Sequence, residues 1–301
     1  MLDEKRIMTN PDEVKAALAK RGFEVDFGEY LKLKTLRSAL LQNIESVRAE
    51  RNALSKSIGE YKREKKDTTE LFQKIDGLKQ SIEDDEETLK NIESDLQNFL
   101  LKLPNTPDED IVAGDKENNE VLFYNKEKPV FDFTIKDHVD LATDLKLIDY
   151  ERAAKISGRG TWIYSNLGAR LEWALINFFI DEHLKDGYEF MMVPHLLNYE
   201  SGLTAGQFPK FEEDVFWLQG EEPRKFLLPT AETALINLHR NEILSLEDLP
   251  RKYFGYTPCY RREAGSYRSE ERGMIRGYQF NKVEMIQFTT PEQSDKAFEE
   301  L

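Results

Sequence analysis

Two segments near the C-terminal end carry the side chains best suited to chemistry. They are YTPCYRREAG (256–265) and MIRGYQFNKVEMIQF (274–288), which read as two strands joined by a loop. Side chains alternate between the faces of a strand, so Arg261 and Glu263 share one face of the first segment. On the second, Arg276, Tyr278, Phe280, Lys282 and Glu284 share a face, while Gly277, Gln279, Asn281 and Val283 take the other. A face of arginines, glutamates and an aromatic ring can hold a phosphate, stack a base and capture an amine. The same residues also suit cross-strand ion pairing on a solvated antiparallel face, and alternation alone leaves both readings open.

The elements that must position this face read as an α+β domain built on an antiparallel sheet flanked by helices. GARLEWALINFFIDEHLKDG is an amphipathic helix with Leu171, Leu175, Phe178, Phe179 and Leu184 as its apolar stripe, stopped by Gly187. YEFMMVP follows as a strand ending at Pro194, and DVFWL and KFLLP are further short strands. TAETALINLHRNEI is expected to be a helix with Thr230 and an early glutamate at its start. A short helix is expected around DHVDLATDLKLID, and NPDEVKAALAKRG near the start has Asn10 as a cap, then Pro11, and Gly22 as a stop.

Residues 31–103 contain no proline and read as one long helical hairpin. Leu40, Ile44, Val47, Arg51, Leu54, Ile58 and Tyr61 follow each other at alternating steps of four and three. So do Leu71, Ile75, Leu78, Ile82, Asp85, Leu89, Ile92, Leu96 and Phe99. The apolar-free KREKKDTTE between them suits a turn, so the expectation is an antiparallel two-helix coiled-coil arm of roughly 50 Å. Arg51 and Asp85, the charged interruptions, are expected to meet across the seam and fix its register. Lys62, Arg63, Lys65 and Lys66 make the tip basic, either as a solvated turn or as a contact for a polyanion. LPNTPDEDIVAGDKENNEV then reads as an acidic linker.

A formal net charge of -15 argues against coating nucleic acid through an overall field, though a local patch remains compatible with it. The lone Cys259 excludes an internal disulfide and a C-x-x-C zinc site, and is expected to be a small buried strand residue in a cytoplasmic protein. The four histidines, His138, His183, His195 and His239, lack metal-ligand spacing, and the tryptophans read as core or interface aromatics. No membrane span, signal or transit peptide, Rossmann glycine fingerprint or P-loop is expected.

YRREAGS followed by RGMIRGYQFNKVE resembles motif 2 of the class II aminoacyl-tRNA synthetases, in the form typical of seryl-tRNA synthetases of bacterial type. LLPTAE resembles that family's serine loop, and the helix running into the Pro194 strand resembles motif 1, its dimer-forming element. TAGQFPKFEEDVFW and NPDEVKAALAKRG are also similar to family segments, so the resemblance runs over essentially the whole chain. It implies a tRNA-binding N-terminal domain over 1–103 with its arm at about 31–103 and a linker over 104–125. A catalytic domain over 126–301 follows, with motif 1 at about 168–194, the serine loop at 230–232 and motif 2 at about 253–288.

The resemblance also implies an activity: ATP-dependent conversion of L-serine to seryl adenylate, then transfer to tRNA(Ser), and to tRNA(Sec) where that tRNA is present. Arg261 is implied as the catalytic arginine at the α-phosphate and serine carboxylate. Arg262, Glu263, Arg276 and Phe280 complete the implied ATP set, with Glu263 at the adenine amino group, Phe280 stacked on the ring and Arg276 at the γ-phosphate. Thr230, Ala231, Glu232, Arg261 and Glu284 form the implied serine site, and Lys62, Arg63, Lys65 and Lys66 the tRNA contact. ATP is expected with Mg2+, whose ligands, like motif 3, are expected beyond residue 301, leaving no metal site within these residues and a weak or inactive fragment. A homodimer is implied through motif 1.

The chain departs from the family pattern at Tyr278, where His is usual, and at Gly277, where a bulkier apolar residue is usual. It departs again at Arg268 and Ser269 in the hairpin loop, where Gly and Arg are common, whereas Arg272 and Gly273 match. The alternatives are a synthetase-like ligase that charges a carrier protein, against which the long arm counts, and a non-catalytic coiled-coil adaptor, which has no need of the charged face.

Overall fold

The computed structural model describes residues 2–220, 222–263 and 272–301. The chain divides into two compact units, Met1–Lys126 and Glu127–Leu301.

The first unit begins with α1 (Glu4–Thr9), capped by the Asp3 carboxylate, and α2 (Pro11–Ala19), which has Pro11 in its first turn. Asn10 makes no side-chain cap at α2; its amide instead donates to Glu13 at 3.2 Å. Gly22 supplies the left-handed turn after α2 with a φ of 67°. The long hairpin follows as α3 (Gly28–Arg63) and α4 (Thr69–Lys102).

Every seam residue named from the four-three spacing is buried or half-buried except Tyr61, which lies exposed beside the turn. At the base of the arm Ile92, Leu96, Leu100 and Leu103 pack against Ile7, Val14, Leu18, Phe27 and Tyr30, so α1 and α2 fasten the open end of the hairpin. Arg51 and Asp85 do not meet. Asp85 accepts from the Asn43 side chain at 2.8 Å, while Arg51 reaches its neighbour Asn52 at 3.3 Å. Arg37 pairs with Glu93 at 2.8 Å and Arg48 with Glu86. The residue level with Asp85 is thus Asn43, eight positions from Arg51, or about two helical turns away.

The tip turns through Lys65, whose φ is 54°. Lys62 lies over the Phe72 ring, and Lys66 lies over Tyr61 and pairs with Glu64 at 2.6 Å. Residues 104–125 contain a single short 3-10 turn at Lys116–Asn118, and are tied to the end of α2 by Lys20 Nζ on the Glu109 carbonyl at 2.8 Å and by Arg21 on the Asn105 carbonyl at 2.7 Å.

The second unit contains α5 (His138–Asp144), β1 (Ile148–Asp149), α6 (Tyr150–Ser157), β2 (Ile163–Tyr164) and α7 (Leu167–Lys185). There follow β3 (Glu189–Phe190), β4 (Leu196–Asn198), α8 (Tyr199–Thr204), β5 (Lys225–Leu227) and α9 (Glu232–Leu235). The last elements are β6 (Arg251–Tyr260), β7 (Gln279–Phe288) and α10 (Ser294–Glu300). The α+β reading holds. Its backbone is the ten-residue antiparallel ladder of β6 and β7, from Arg251 opposite Phe288 to Tyr260 opposite Gln279, with β3 added in parallel on the free edge of β6. Two small antiparallel pairs, β1 with β2 and β4 with β5, stand apart from it.

One core cluster gathers Leu197, Phe208, Val215, Phe226, Leu228, Ala234 and Cys259. Cys259 is fully buried, and burial pushes its thiol up, which fits a packing role. Three expectations need correction. The strand expected over 188–194 is regular only at Glu189–Phe190. The DVFWL segment contributes a single bridge, Trp217 to Phe226. The helix expected over 230–243 shrinks to α9. Beyond α9 the bonds tighten to the 3-10 type, the Asn237 amide is drawn to the Ser201 carbonyl at 3.0 Å, and Asn241 turns left-handed at a φ of 64°.

In α7 only Gly168 and Ile176 are buried, and the stripe from Leu171 to Leu184 is 41 to 66% exposed in the single chain. Gly168 is small for a reason: a Cβ there would stand 2.1 Å from the Leu147 carbonyl.

Candidate active site

The β6–β7 ladder sets the site. Beyond its last formal pair, the Arg261 N–H donates to the Tyr278 carbonyl at 2.9 Å, so Arg261 remains level with the start of β7. Its Nε donates to the Pro229 carbonyl at 3.1 Å, and its guanidinium lies over the Phe280 ring at 5.1 Å. Glu263 has left the strand with a φ of 53°, and its carboxylate pairs with Arg276. A cleft of about 340 Å³ is lined by Gln207, Asp214, Thr230, Arg261, Glu263 and Arg276. An adjoining lobe of about 400 Å³ shares Arg261, Glu263 and Arg276 and adds Trp162, Gly277 and Phe280.

Arg262 is not brought into this cleft. It follows Arg261 on the opposite face, where its N–H donates to the Asp214 carbonyl at 2.8 Å and its Nη1 to the Glu213 carbonyl at 3.3 Å.

Beside the cleft sits a bonded cluster of Thr230, Lys282 and Glu284. The Thr230 hydroxyl donates to Glu284 at 2.6 Å and accepts from Lys282 Nζ at 2.8 Å. Lys282 also donates to Glu284 Oε1 at 2.8 Å, and the Glu232 N–H donates to Glu284 Oε2 at 3.1 Å. Thr230 is therefore occupied with Glu284 and does not cap α9. Burial alone would push the Glu284 carboxyl up, but the bonds from Lys282 and Thr230 outweigh it and hold the carboxyl below its ordinary value. Glu232 goes the other way, raised by partial burial and then by the negative Glu284. Its neighbour Ala231 is fully buried.

Sequence reasoning missed two contributors. Lys282 was on the named face without a role, although a lysine two residues before a glutamate on one strand face is positioned to hold it. Trp162 is far away in sequence and carried no signal of its own. Ala264, Gly265, Arg268 and Ser269 lie outside the described residues. Arg272 pairs with Asp137 at 3.2 Å, and Gly273, with a φ of 75°, sits where a Cβ would be 2.3 Å from His138 Nε2. Among the described residues no group of three or more His, Cys, Asp or Glu is placed to hold a metal ion, and no helix is long and apolar enough to cross a membrane.

Residues 1–107 match the seryl-tRNA synthetase N-terminal domain, and residues 216–301 match the tRNA synthetase class II core domain shared by the G, H, P, S and T enzymes. A serine–tRNA ligase 2 of Clostridium acetobutylicum is 53% identical over 305 residues, an alignment covering all of this chain and 72% of that protein. The serine–tRNA ligase of Thermodesulfovibrio yellowstonii is 44% identical, again over all of this chain and 72% of its own length. The chain belongs to the seryl-tRNA synthetase family. Its fold agrees: the crystal structure of seryl-tRNA synthetase from Pyrococcus horikoshii complexed with ATP matches with a TM-score of 0.88 at 31% identity, over all of this chain and 72% of that one. The family is one of class II aminoacyl-tRNA synthetases with serine–tRNA ligase activity, and the long α3–α4 hairpin falls within its N-terminal domain.

Proposed function

We propose that the cleft between β6, β7 and the 229–232 loop binds ATP and L-serine and forms seryl adenylate, and that the seryl group then passes to tRNA(Ser), and to tRNA(Sec) where it is present. The carrying observation is the convergence of Arg261, Glu263, Arg276 and Phe280 on one cleft, with the Thr230–Lys282–Glu284 cluster alongside. Serine is held by its ammonium at Glu232 and by its hydroxyl at Thr230 and Glu284, over the floor made by Ala231. A site whose polar groups are bonded in this way rejects alanine, which would leave them unpaired.

Arg261, fixed by the Pro229 carbonyl, faces the serine carboxylate and the α-phosphate. The carboxylate oxygen attacks the α-phosphorus as the bond to the pyrophosphate oxygen breaks, and the guanidinium neutralises the charge that collects between them. Phe280 stacks on the base, Glu263 accepts from its amino group, and Arg276 meets the γ-phosphate. Arg262, bonded to the 213–214 carbonyls, holds the adjoining loop instead of lining the cleft. The ATP complex of the Pyrococcus relative supports the nucleotide part of this reading. The basic tip of the arm meets the tRNA backbone, and the exposed apolar face of α7 is the dimer contact, both in a cytoplasmic enzyme.

Titration calorimetry tests the reading on this chain directly, with ATP, each of the twenty amino acids and a non-hydrolysable seryl adenylate analogue. Serine alone among the amino acids should bind in the presence of ATP, and Arg261→Ala should weaken the analogue by at least about a hundredfold. Equal binding of alanine and serine, or analogue binding indifferent to Arg261, would overturn the proposal.

A further inference from the structure

The stretch Arg276–Gly277–Tyr278 approaches β7 against the loop 158–162. The Tyr278 N–H donates to the Gly160 carbonyl at 3.1 Å, and Gly160, with a φ of 78°, sits where a Cβ would be 3.1 Å from the Tyr278 ring. The approach at Gly277 is closer. A Cβ there would lie 2.2 Å from Cζ3 of Trp162 and 2.8 Å from the Gly160 carbonyl oxygen. The indole therefore fills the volume that a side chain at 277 would need, a volume open only because the residue is glycine.

Filling a gap in packing does not account for the whole ring. Trp162 is half-buried, and its only ring partner among the described residues is Tyr164, at 6.4 Å edge to face. One side of it lines the 400 Å³ lobe with Glu263, Arg276 and Phe280. Together with Phe280 it also borders a separate cavity of about 290 Å³ whose polar lining comes from Ser157, Thr161, Gln279 and Asn281. Trp162 and Phe280 thus each line both spaces, the charged lobe and the neutral cavity.

We infer that Trp162 is a nucleotide-contact residue of this chain, an aromatic wall beside Phe280 for the base-and-ribose end of ATP. The inference rests on the ATP reading of the cleft. The arginines of the lobe suit phosphates, and the end where Glu263, Phe280 and Trp162 meet suits a flat, partly apolar ring with an edge donor. Glycine at 277 is the condition for that wall, because any side chain there displaces the indole.

The test uses the chain labelled with 5-fluorotryptophan. Trp162, Trp173 and Trp217 are its three tryptophans, so a Trp162→Phe variant assigns the resonance. ATP should shift the Trp162 signal, whereas serine and inorganic tripolyphosphate should not. Trp162→Ala should weaken ATP about fivefold and leave tripolyphosphate unchanged, Trp162→Phe should recover most of the loss, and Gly277→Val should weaken ATP with little further loss when combined with Trp162→Ala. If ATP binds in an Arg261-dependent manner while the Trp162 signal stays put and Trp162→Ala binds normally, this inference falls and the cleft assignment survives. If ATP does not bind the unaltered chain, both fall. Should Trp162→Ala fail to fold, the fluorine titration of the unaltered chain decides alone.

Discussion

Arg276 and Glu263 form an ion pair across the cleft, thirteen residues apart in sequence. On the ATP reading proposed above they meet different ends of the nucleotide, so ATP binding should open the pair. Removing one partner frees the other. Arg276→Ala should weaken ATP about tenfold and AMP much less, whereas Glu263→Gln should erode the preference for ATP over GTP without loss of phosphate affinity. Competition binding with ATP, AMP and GTP measures both, and equal loss for AMP and ATP in Arg276→Ala would contradict the γ-phosphate role.

Lys282 should behave as the residue that keeps Glu284 ionised. Lys282→Met removes two hydrogen bonds to partly buried groups and should cost about 2 kcal/mol at neutral pH. The sign follows from the depressed carboxyl of Glu284. Its stabilisation is present above the unfolded carboxyl value of about 4.3 and is lost as pH falls through the lower folded value. Thermal melts of the two proteins should therefore differ most at neutral pH and converge on acidification. A gap that stays constant down to pH 3 would contradict this role.

Serine affinity should fall early on the acid side, because Glu232 has a raised carboxyl and must be ionised to meet an ammonium. Glu232→Gln should lower serine affinity at neutral pH and flatten its dependence on the acid side, where the raised carboxyl titrates. Calorimetry at stepped pH reports both changes, and a variant retaining the slope would assign it to another group.

Gly202 lies against Phe208, where an added Cβ would stand 2.3 Å from the ring. Phe208 is 2% exposed and packs with Tyr199, Trp217 and Phe226. Gly202→Ala should therefore destabilise the chain by about 2 kcal/mol or more, read from chemical denaturation, and an unchanged midpoint would show that the ring moves aside freely.

At the arm tip, Lys62 and Lys66 lie over rings and Lys66 is paired, while Arg63 and Lys65 show no such partner among the described residues. Changing all four to Ala should weaken tRNA binding, flatten its salt dependence and leave ATP and serine binding intact. The Arg63→Ala, Lys65→Ala pair should account for more of the loss than the other two. Uniform weakening of every ligand would place the effect elsewhere.

Period-two alternation holds for Phe280, Lys282 and Glu284 within β7, and Arg261, one residue past β6, stays level through its N–H on the Tyr278 carbonyl, but the strand expected from 274 begins only at Gln279, so Arg276 reaches the cleft from a bend ahead of the ladder. Alternation reached Glu263 by a different route from the real one: the chain has left the strand there, and the ion pair with Arg276 turns the carboxylate inward. The four-three spacing gave the seam of the arm but not its register. The turn falls within KREKKDTTE as expected, yet with that turn Asp85 lies level with Asn43 and Arg51 lies about two helical turns further along, so the two charged interruptions are not level with each other. The 230–243 segment looked helical from composition, yet Asn237 and the buried Thr230 are drawn into tertiary bonds that propensity does not see. Trp162 reaches the cleft only through a loop closed by two glycines, a contact with no local pattern.

The base of the hairpin is fastened by Ile7, Val14, Leu18, Phe27 and Tyr30. Over its 36-residue first helix the arm is a lever of about 54 Å, so a tilt of one degree at the clamp carries the tip about 1 Å. Aim at the far end is thus decided by stiffness at the near one. A cavity opened at Phe27 or Tyr30 would broaden the tip's spread while leaving every residue at the tip unchanged.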